Sequence, residues 1–147
     1  MANPAGAVSA WLGFFVDDGG TVRHARYVRL FADAQGASHF DEIDVVLEPI
    51  DFAPPAAPLH IAALFPATSC GLVSGPPDWD GSIPHPSPCR QLFCTLRGEY
   101  EVTASDGTVR RFPAGSLLLL EDTTGSGHTT RVTSDEDVLI VSVTLAD

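Results

Sequence analysis

Residues 98–115 have the sequence GEYEVTASDGTVRRFPAG and decide the fold. Apolar and polar side chains alternate through residues 99–103, which predicts a half-buried strand. The turn sequence Asp106-Gly107 then leads into residues 108–112, and Asp-Gly is a strong signal for a β-hairpin. Pro113 to Gly115 forms a second corner. The stretch therefore predicts an antiparallel hairpin followed by a further strand.

The sequence on both sides of this hairpin continues in short strands separated by turn-forming residues. Alternating or apolar runs occupy residues 26–31, 39–48, 61–64, 70–73, 90–96, 116–120, 128–133 and 137–145. Prolines between residues 49 and 58 and dense turn formers between residues 75 and 88 are incompatible with helices there. Because no stretch keeps a helical period, the pattern predicts an all-β sandwich or barrel.

Length and composition favour one globular domain. A chain of 147 residues is long enough to bury one core but too short for two catalytic domains. Apolar residues make up 44% of the chain and charged residues 18%, which is typical of a folded protein with many turns. We expect residues 1–25 to form an N-terminal arm or first strand, and residues 26–147 to form a single β-barrel domain.

The charge of the chain excludes several classes of function. There are 19 acidic and 8 basic residues, and every basic residue is an arginine. Schiff-base aldolases, pyridoxal-phosphate enzymes and phosphate-loop nucleotide hydrolases all need a lysine amine, so none fits this chain. A net charge of −11 also opposes binding to nucleic acids and to anionic membranes. The expected partner is a small organic molecule.

Features related to localisation point to the cytoplasm. Cys70, Cys89 and Cys94 lack paired CxxC spacing and are expected to be buried thiols in a reducing compartment. The apolar stretch Val8 to Val16 is short, with no basic residue before it and acidic residues after it. It therefore predicts neither a signal peptide nor a membrane-spanning helix.

Histidine, glutamine and glycine positions in the second half form a partial motif. Gln91 lies seven positions before Gly98 and six positions after His85. This spacing resembles the first motif of the cupin superfamily, in which a His-x-His pair, a glutamate and a closing glycine recur at such intervals. Within that resemblance His85 takes the first histidine position, Ser87 the second, and Gln91 the glutamate position.

The second cupin motif is also partly present, and the resemblance extends over residues 81–145. Gly107, five further residues and Pro113 to Gly115 match its beginning, but Leu118 stands where the histidine is expected. His128 takes that role if residues 121–127 are an inserted loop. The resemblance implies a cupin-type antiparallel jelly-roll β-barrel, with residues 1–80 supplying further strands and an edge for a homodimer.

The resemblance also implies a possible metal site. Metal-holding cupins use three histidines and a glutamate, a set that suits Fe, Mn, Ni, Cu or Zn. The corresponding ligands in this chain are His85, Gln91 and His128. Because one imidazole and the negative charge are missing, a divalent metal would be held weakly, and a metal-free site stays open as the alternative. With a metal, a dioxygenase becomes an alternative function.

Without a metal, the same three residues predict acid-base chemistry. Imidazole titrates near neutral pH, so His85 and His128 are candidate catalytic groups, and Gln91 could hold a carbonyl or enolate oxygen. An isomerase, cyclase or lyase would follow. The alternative is a non-catalytic cupin that binds a small molecule, in which both histidines only satisfy hydrogen bonds.

Four further residues are predicted to bind the substrate: Trp79, Ser87, Phe93 and Thr95. Strand alternation places Phe93 and Thr95 on the same face as Gln91, and Arg90 on the opposite face. Glu121 and Asp122 are predicted to lie in a solvated loop, although one of their carboxylates could approach His128.

Overall fold

The computed structural model of the chain describes residues 15–16 and 23–147, and every regular element in this part is a strand. The strands are β1 (Phe15–Val16), β2 (Arg23–Ala32), β3 (Ser38–Ile50), β4 (Leu59–Ile61), β5 (Ala67–Gly75), β6 (Asp80–His85), β7 (Gln91–Arg97), β8 (Glu99–Ala104), β9 (Val109–Pro113), β10 (Leu117–Glu121), β11 (His128–Val132) and β12 (Val138–Leu145). The predicted all-β class is confirmed. Most of the predicted N-terminal arm lies outside the described residues.

The strands form two sheets. The larger sheet has the order β4-β3-β2-β10-β7-β12-β5, with β1 paired to β2, and the smaller sheet has the order β6-β11-β8-β9. When β5 to β12 are renumbered 1 to 8, the larger sheet contains these strands in the order 1-8-3-6 and the smaller sheet in the order 2-7-4-5. From β5 to β12, consecutive strands lie in opposite sheets except β8 and β9, which are neighbours in the smaller sheet. This order is that of a jelly roll built from two Greek keys. The predicted jelly roll is confirmed by this strand order.

The predicted hairpin forms as expected, and β8 pairs with β9 from Glu99 opposite Pro113 to Thr103 opposite Val109. Gly107 and Gly115 have φ values of 91° and 90°, which explains glycine at these two corners. One pairing departs from the prediction of a fully antiparallel barrel. Strand β10 pairs in parallel with β2, because β2 and β3 extend the larger sheet beyond the jelly roll.

Strand β6 was not predicted. Residues 75–88 contain many turn formers, yet Asp80–His85 forms an edge strand of the smaller sheet, paired with β11. Pro84 is tolerated because proline in an edge strand need not donate to a second neighbour. The strand carries His85, so the misassigned segment contains a candidate site residue.

The core lies between the two sheets. Leu30, Phe112 and Leu118 are fully buried in this layer, with Phe40 and Phe93 packed against it. A second apolar cluster contains buried Tyr27 and Leu119 together with half-buried residues from several strands of the larger sheet and from the segment before β5. The jelly roll therefore has one interior and an additional apolar cluster on its larger sheet.

Two expectations about localisation can be compared with the structure. All three cysteines are free thiols, but Cys70 is exposed and the other two are half-buried, so the prediction of buried thiols is wrong. Cys70 lies in β5, an edge strand that has only one neighbour. Within residues 15–16 and 23–147 no helix is long and apolar enough to cross a membrane.

His39 joins two turns at one end of the barrel. Its Nε2 lies 2.6 Å from the Asp33 carboxylate, and its Nδ1 lies 2.9 Å from the Asp106 carboxylate. Hydrogen bonds to Asp33 and then to Asp106 raise the pKa of His39 above its ordinary value. The pKa of Asp33 is lowered mainly by the hydrogen bond from His39. The β2–β3 turn is thereby tied to the β8–β9 turn.

This bridge should make stability depend on pH in a defined window. A raised histidine pKa stabilises the fold fully below the unfolded value of about 6.5, and the stabilisation is lost as pH rises through the folded pKa. The lowered pKa of Asp33 stabilises the fold above the unfolded value of about 4. We therefore expect His39→Gln to lower the free energy of unfolding more at pH 6 than at pH 9 in urea denaturation. A loss of equal size at both pH values would contradict this assignment.

Candidate functional site

A cavity of about 260 Å³ lies between the two sheets and opens at one end of the barrel. Its wall is mainly apolar and combines inward-facing residues of both sheets. The larger sheet contributes Val73, Gln91, Phe93, Leu118, Leu120, Val138 and Ile140, and the smaller sheet contributes His85, Tyr100, Val102, His128, Thr130 and Val132. The prediction of a hollow interior therefore agrees with the structure.

Two histidines meet at the mouth of this cavity. His85 ends β6, His128 begins β11, and the two residues are paired across the smaller sheet. Their ring centroids are 5.0 Å apart. His128 is buried and His85 is exposed. The His85 ring is oriented by its Nδ1–H, which donates to the Ile83 carbonyl at 2.9 Å. This leaves Nε2 of His85 for a ligand.

Gly127 determines how closely the two histidine segments approach. It has a φ of 69°, and its Cα packs directly against the backbone carbonyl of His85. A Cβ at this position would collide with backbone atoms of His85 and Pro86. Glycine is therefore required both by the backbone conformation and by the contact that brings His85 beside His128.

The fully buried Asp122 orients His128. The Asp122 Oδ2 atom lies 2.6 Å from Nδ1 of His128, and the His128 side chain is only 7% exposed. An ionised carboxylate only accepts hydrogen bonds, so Nδ1 of the neutral imidazole must carry the proton. In that tautomer of the neutral ring, Nε2 carries the free lone pair of a residue that lines the cavity. The pair has the geometry of an oriented general base.

Ser87 completes the support of this pair. Its hydroxyl donates to Asp122 Oδ1 at 2.7 Å, and its backbone N–H donates to the Asp122 carbonyl at 3.0 Å. Ser87 occupies a histidine position of the cupin pattern and lines the cavity, but its hydroxyl is committed to Asp122. While this bond is made, the hydroxyl proton is not available to a substrate, and the hydroxyl oxygen can only accept from one.

The expectation that Glu121 and Asp122 lie in a solvated loop is wrong for both residues. Asp122 follows Leu118 and Leu120 at intervals of two, so continued strand alternation turns it inward, and this signal was present in the sequence. Glu121 points to the other face and pairs with Arg29 and Arg90 at 2.7 Å each. Burial opposes ionisation of Glu121, but the two arginines hold its pKa below the ordinary value.

The loop between Asp122 and His128 is anchored from outside the jelly roll. Ser126 donates its N–H to the carbonyl of Gly36 at 2.8 Å, and Ser38 donates its hydroxyl to the carbonyl of Gly127 at 2.6 Å. Ser38 is fully buried. The β2–β3 turn therefore fixes the loop that connects the two residues of the oriented pair.

Gln91 provides a polar group on the opposite wall. Its Oε1 accepts a hydrogen bond from the Ser142 hydroxyl at 3.1 Å. The amide NH₂ group is consequently the part of Gln91 that can donate to a ligand oxygen. As the alternation predicts, the neighbouring Arg90 lies on the outer face, where it contacts Glu121 and the ring of Phe65.

The remaining predicted substrate-binding residues fall into two groups. Trp79 and Phe93 line the cavity, and Trp79 packs over Gly75 and Gly81 while staying 45% exposed. Thr95 does not line it. This buried residue lies near the far end of β7, where its N–H donates to the Ser116 carbonyl. Alternation gave the correct face for Thr95 but not its depth along the barrel.

Tyr100 forms part of the inner wall. Its ring stacks on Phe112 with centroids 5.2 Å apart and meets Phe93 edge-on at 6.4 Å. Burial raises the pKa of the Tyr100 hydroxyl far above its ordinary value. The phenol therefore stays neutral near neutral pH, and its ring contributes an apolar surface to the wall.

The donors at the mouth do not match a resident divalent metal. Both Nδ1 atoms of the histidine pair and both carboxylate oxygens of Asp122 are engaged, and Gln91 Oε1 already accepts from Ser142. Two Nε2 atoms are then the available strong donors, whereas protein sites for a divalent metal such as zinc use three or four protein ligands. No group of three His, Cys, Asp or Glu side chains in the described part of the chain could hold a metal ion.

Similarity to known proteins is found among solved structures and not among sequence families. No family profile matches the sequence, and no curated protein matches it. Among solved structures, the cupin domain of Cnp3 from Schizosaccharomyces pombe matches at 22% identity, with a TM-score of 0.46, over 73% of this chain and 79% of that chain. The strand order decides the fold. The chain is a jelly roll of two packed sheets. At 22% identity the likeness concerns the fold alone.

Within this jelly-roll barrel, the structure brings His85, Gln91 and His128 to one cavity, as the sequence predicted. Trp79, Ser87 and Phe93 line the same cavity, and Thr95 does not. Asp122 is the functional candidate that the sequence analysis assigned to solvent. The catalytic and binding roles of these residues remain predictions.

Proposed function

We propose that the barrel binds a small organic molecule and catalyses proton transfer on it, as an isomerase, cyclase or lyase does. The observation that carries the proposal is the buried Asp122–His128 pair at the mouth of an apolar cavity. A histidine that only fills space needs no buried carboxylate on one nitrogen and a cavity beside the other. General bases require this combination of orientation and access.

The proposed reaction begins at Nε2 of His128. This nitrogen removes a proton from a carbon next to a carbonyl group, and Asp122 stabilises the imidazolium that forms. The amide NH₂ of Gln91 donates a hydrogen bond to the oxygen on which negative charge develops. The proton then returns from His128, or from protonated His85, to a different atom of the substrate. Departure of a neighbouring group instead gives an elimination.

A non-catalytic binding cupin is the second candidate. It is favoured by the exposure of His85 and by the saturation of Asp122, whose two oxygens accept from Ser87 and His128. Such a network also rigidifies a barrel mouth without chemistry. The two candidates differ in one property, since only the enzyme removes a proton from a bound molecule.

Nitrobenzisoxazole tests the proposal without knowledge of the natural substrate. Removal of its carbon-bound proton by a base breaks the N–O bond and releases a coloured phenolate nitrile, so absorbance follows the proton transfer. We expect the protein to accelerate this elimination at least about 100-fold over buffer. Binding of the probe without acceleration would reject catalysis and support the binding candidate. Absence of binding would contradict both.

Asp122→Asn should change the protonated nitrogen of His128. The asparagine NH₂ group can donate to Nδ1, which would favour the tautomer with the proton on Nε2 and remove the base from the cavity. We expect the Nε2 resonance in nitrogen NMR to become that of a protonated ring nitrogen and the elimination to slow about 100-fold or more. The control Ser87→Ala keeps the Asp122 carboxylate and should keep the original tautomer. An unchanged tautomer in Asp122→Asn would show that Asp122 is not a positioning residue.

We also propose that the protein is a homodimer and that it is cytoplasmic. A homodimer is supported by the edge strand β5 and by the exposed Leu72 beside half-buried apolar residues of the larger sheet, because such edges and faces favour association. Light scattering that detects only a 15.5 kDa species would contradict it.

A cytoplasmic location is supported by the three free thiols.

A further inference from the structure

The cavity wall carries no permanent positive charge among the residues that the structure describes. Its members with polar side-chain atoms are two histidines, Gln91, Ser74, Ser87, Thr130, Trp79 and Tyr100, none with a permanent positive charge, and the chain contains no lysine. The acidic side chain next to the mouth is the buried Asp122, which contacts His128 at 2.6 Å. The electrostatic environment of the mouth is therefore neutral to negative.

None of the eight arginines lines the cavity. Six of the eight form ion pairs with carboxylates outside the cavity lining: Arg26, Arg29, Arg90, Arg110, Arg111 and Arg131. The other two, Arg23 and Arg97, are exposed and also do not line the cavity. Proteins recognise carboxylates and phosphates with arginine forks, lysines or helix N-termini, and the described lining residues of this cavity provide none of these.

An anion entering this cavity would lose water without gaining a permanent counter-charge from the described lining residues. Transfer of an ionised group into an apolar environment is strongly unfavourable unless a counter-charge or several donors replace the water. The apolar wall, nearby Asp122 and the net charge of −11 all act against a carboxylate or phosphate. A neutral molecule meets none of these penalties.

We infer that the site selects an uncharged, mostly apolar molecule with one hydrogen-bonding oxygen and excludes carboxylates and phosphates. This inference rests on the proposed function only for the location of the site. The volume of about 260 Å³ corresponds to about nine molecules of liquid water, which suits a compound with one or two rings. The oxygen meets the Gln91 amide or His85 at the mouth, and the ring body contacts Phe93, Leu118 and Ile140.

Matched neutral and charged ligands test the inference by binding alone. The pairs are adamantane carboxamide with adamantane carboxylate, and naphthamide with naphthoate, in which shape is nearly constant and charge changes. We expect the amide of at least one pair to bind at least about tenfold more tightly than its carboxylate at pH 8 in calorimetry, which corresponds to about 1.4 kcal/mol. Tighter binding of the carboxylates, or binding of neither pair, would overturn the inference.

Val73→Arg supplies the missing charge at the rim. Val73 lines the cavity but is 43% exposed, so the longer side chain can reach solvent without repacking the core. The variant should raise carboxylate affinity about tenfold and change amide affinity less, whereas a gain for both ligands would reject charge as the cause.

Selective binding of amides without elimination of nitrobenzisoxazole supports the inference and rejects catalysis. Elimination together with preferred carboxylate binding supports catalysis and rejects the inference.

Discussion

Replacing His128 with glutamine should lower the rate of nitrobenzisoxazole elimination at least about 100-fold, because it removes the proposed base. The glutamine NH₂ group can still donate to Asp122, which now receives the His128 Nδ1–H bond at 2.6 Å. The buried carboxylate therefore keeps a donor, and the fold should be retained. Probe affinity should change only a few-fold, since the apolar wall is unaltered.

Two further histidine variants test whether the loss of rate is specific to His128. His85→Gln should reduce the rate less than His128→Gln, because His85 is exposed and lacks a carboxylate on its second nitrogen. His60→Gln, in β4 and outside the cavity lining, should leave the rate unchanged. An unchanged rate in His128→Gln with an unchanged circular dichroism spectrum would reject His128 as the base.

The second large effect is expected in Gly127→Ala, which should lose about 2–4 kcal/mol of unfolding free energy. The added Cβ would collide with backbone atoms of His85 and Pro86, and backbone atoms cannot rotate away as a side chain can. Relief of the collision must separate β11 from the end of β6. The same variant should therefore also lose elimination activity, although the His128 side chain is intact.

Gly107→Ala is the matched control for this variant. Gly107 also has a positive φ, of 91°, but a Cβ there would meet no atom within 4 Å. Its loss should be limited to the conformational cost of about 1 kcal/mol for a non-glycine residue in this region. Urea denaturation with unchanged m-values gives both free energies. Equal losses in the two variants would show that the contact with His85 is unimportant.

The sequence allowed the local features of the fold to be predicted. The hairpin at Asp106-Gly107 and the corner at Gly115 depend on backbone conformations that only a few residues adopt easily, so their signals are local. Strand β6 was missed because its proline and glycine are turn signals, and their tolerance depends on the strand lying at a sheet edge. Edge positions are determined by the topology and not by the local sequence.

In the candidate site, too, local sequence signals gave correct predictions and features set by the topology were missed. The spacing of His85 and Gln91 placed both residues at the cavity, because it resembles a known motif. Asp122 was assigned to solvent because carboxylates are mostly exposed, and its partner Ser87 is 35 residues away in sequence. Thr95 was placed on the correct face, but its depth depends on where Gly115 and Ser116 close the barrel. Contacts of long sequence separation thus decided what local patterns could not.

The anchoring of the loop by the β2–β3 turn has a consequence for how a ligand is bound. Because Gly36 and Ser38 already hold Ser126 and Gly127, the conformational entropy of this segment is lost when the chain folds and not when a ligand arrives. A ligand then does not have to order this loop when it binds, so its affinity is not lowered by that entropy cost. This is the general advantage of preorganisation. Substitutions in a surface turn far from the ligand could accordingly weaken binding by loosening the segment, with every wall residue unchanged.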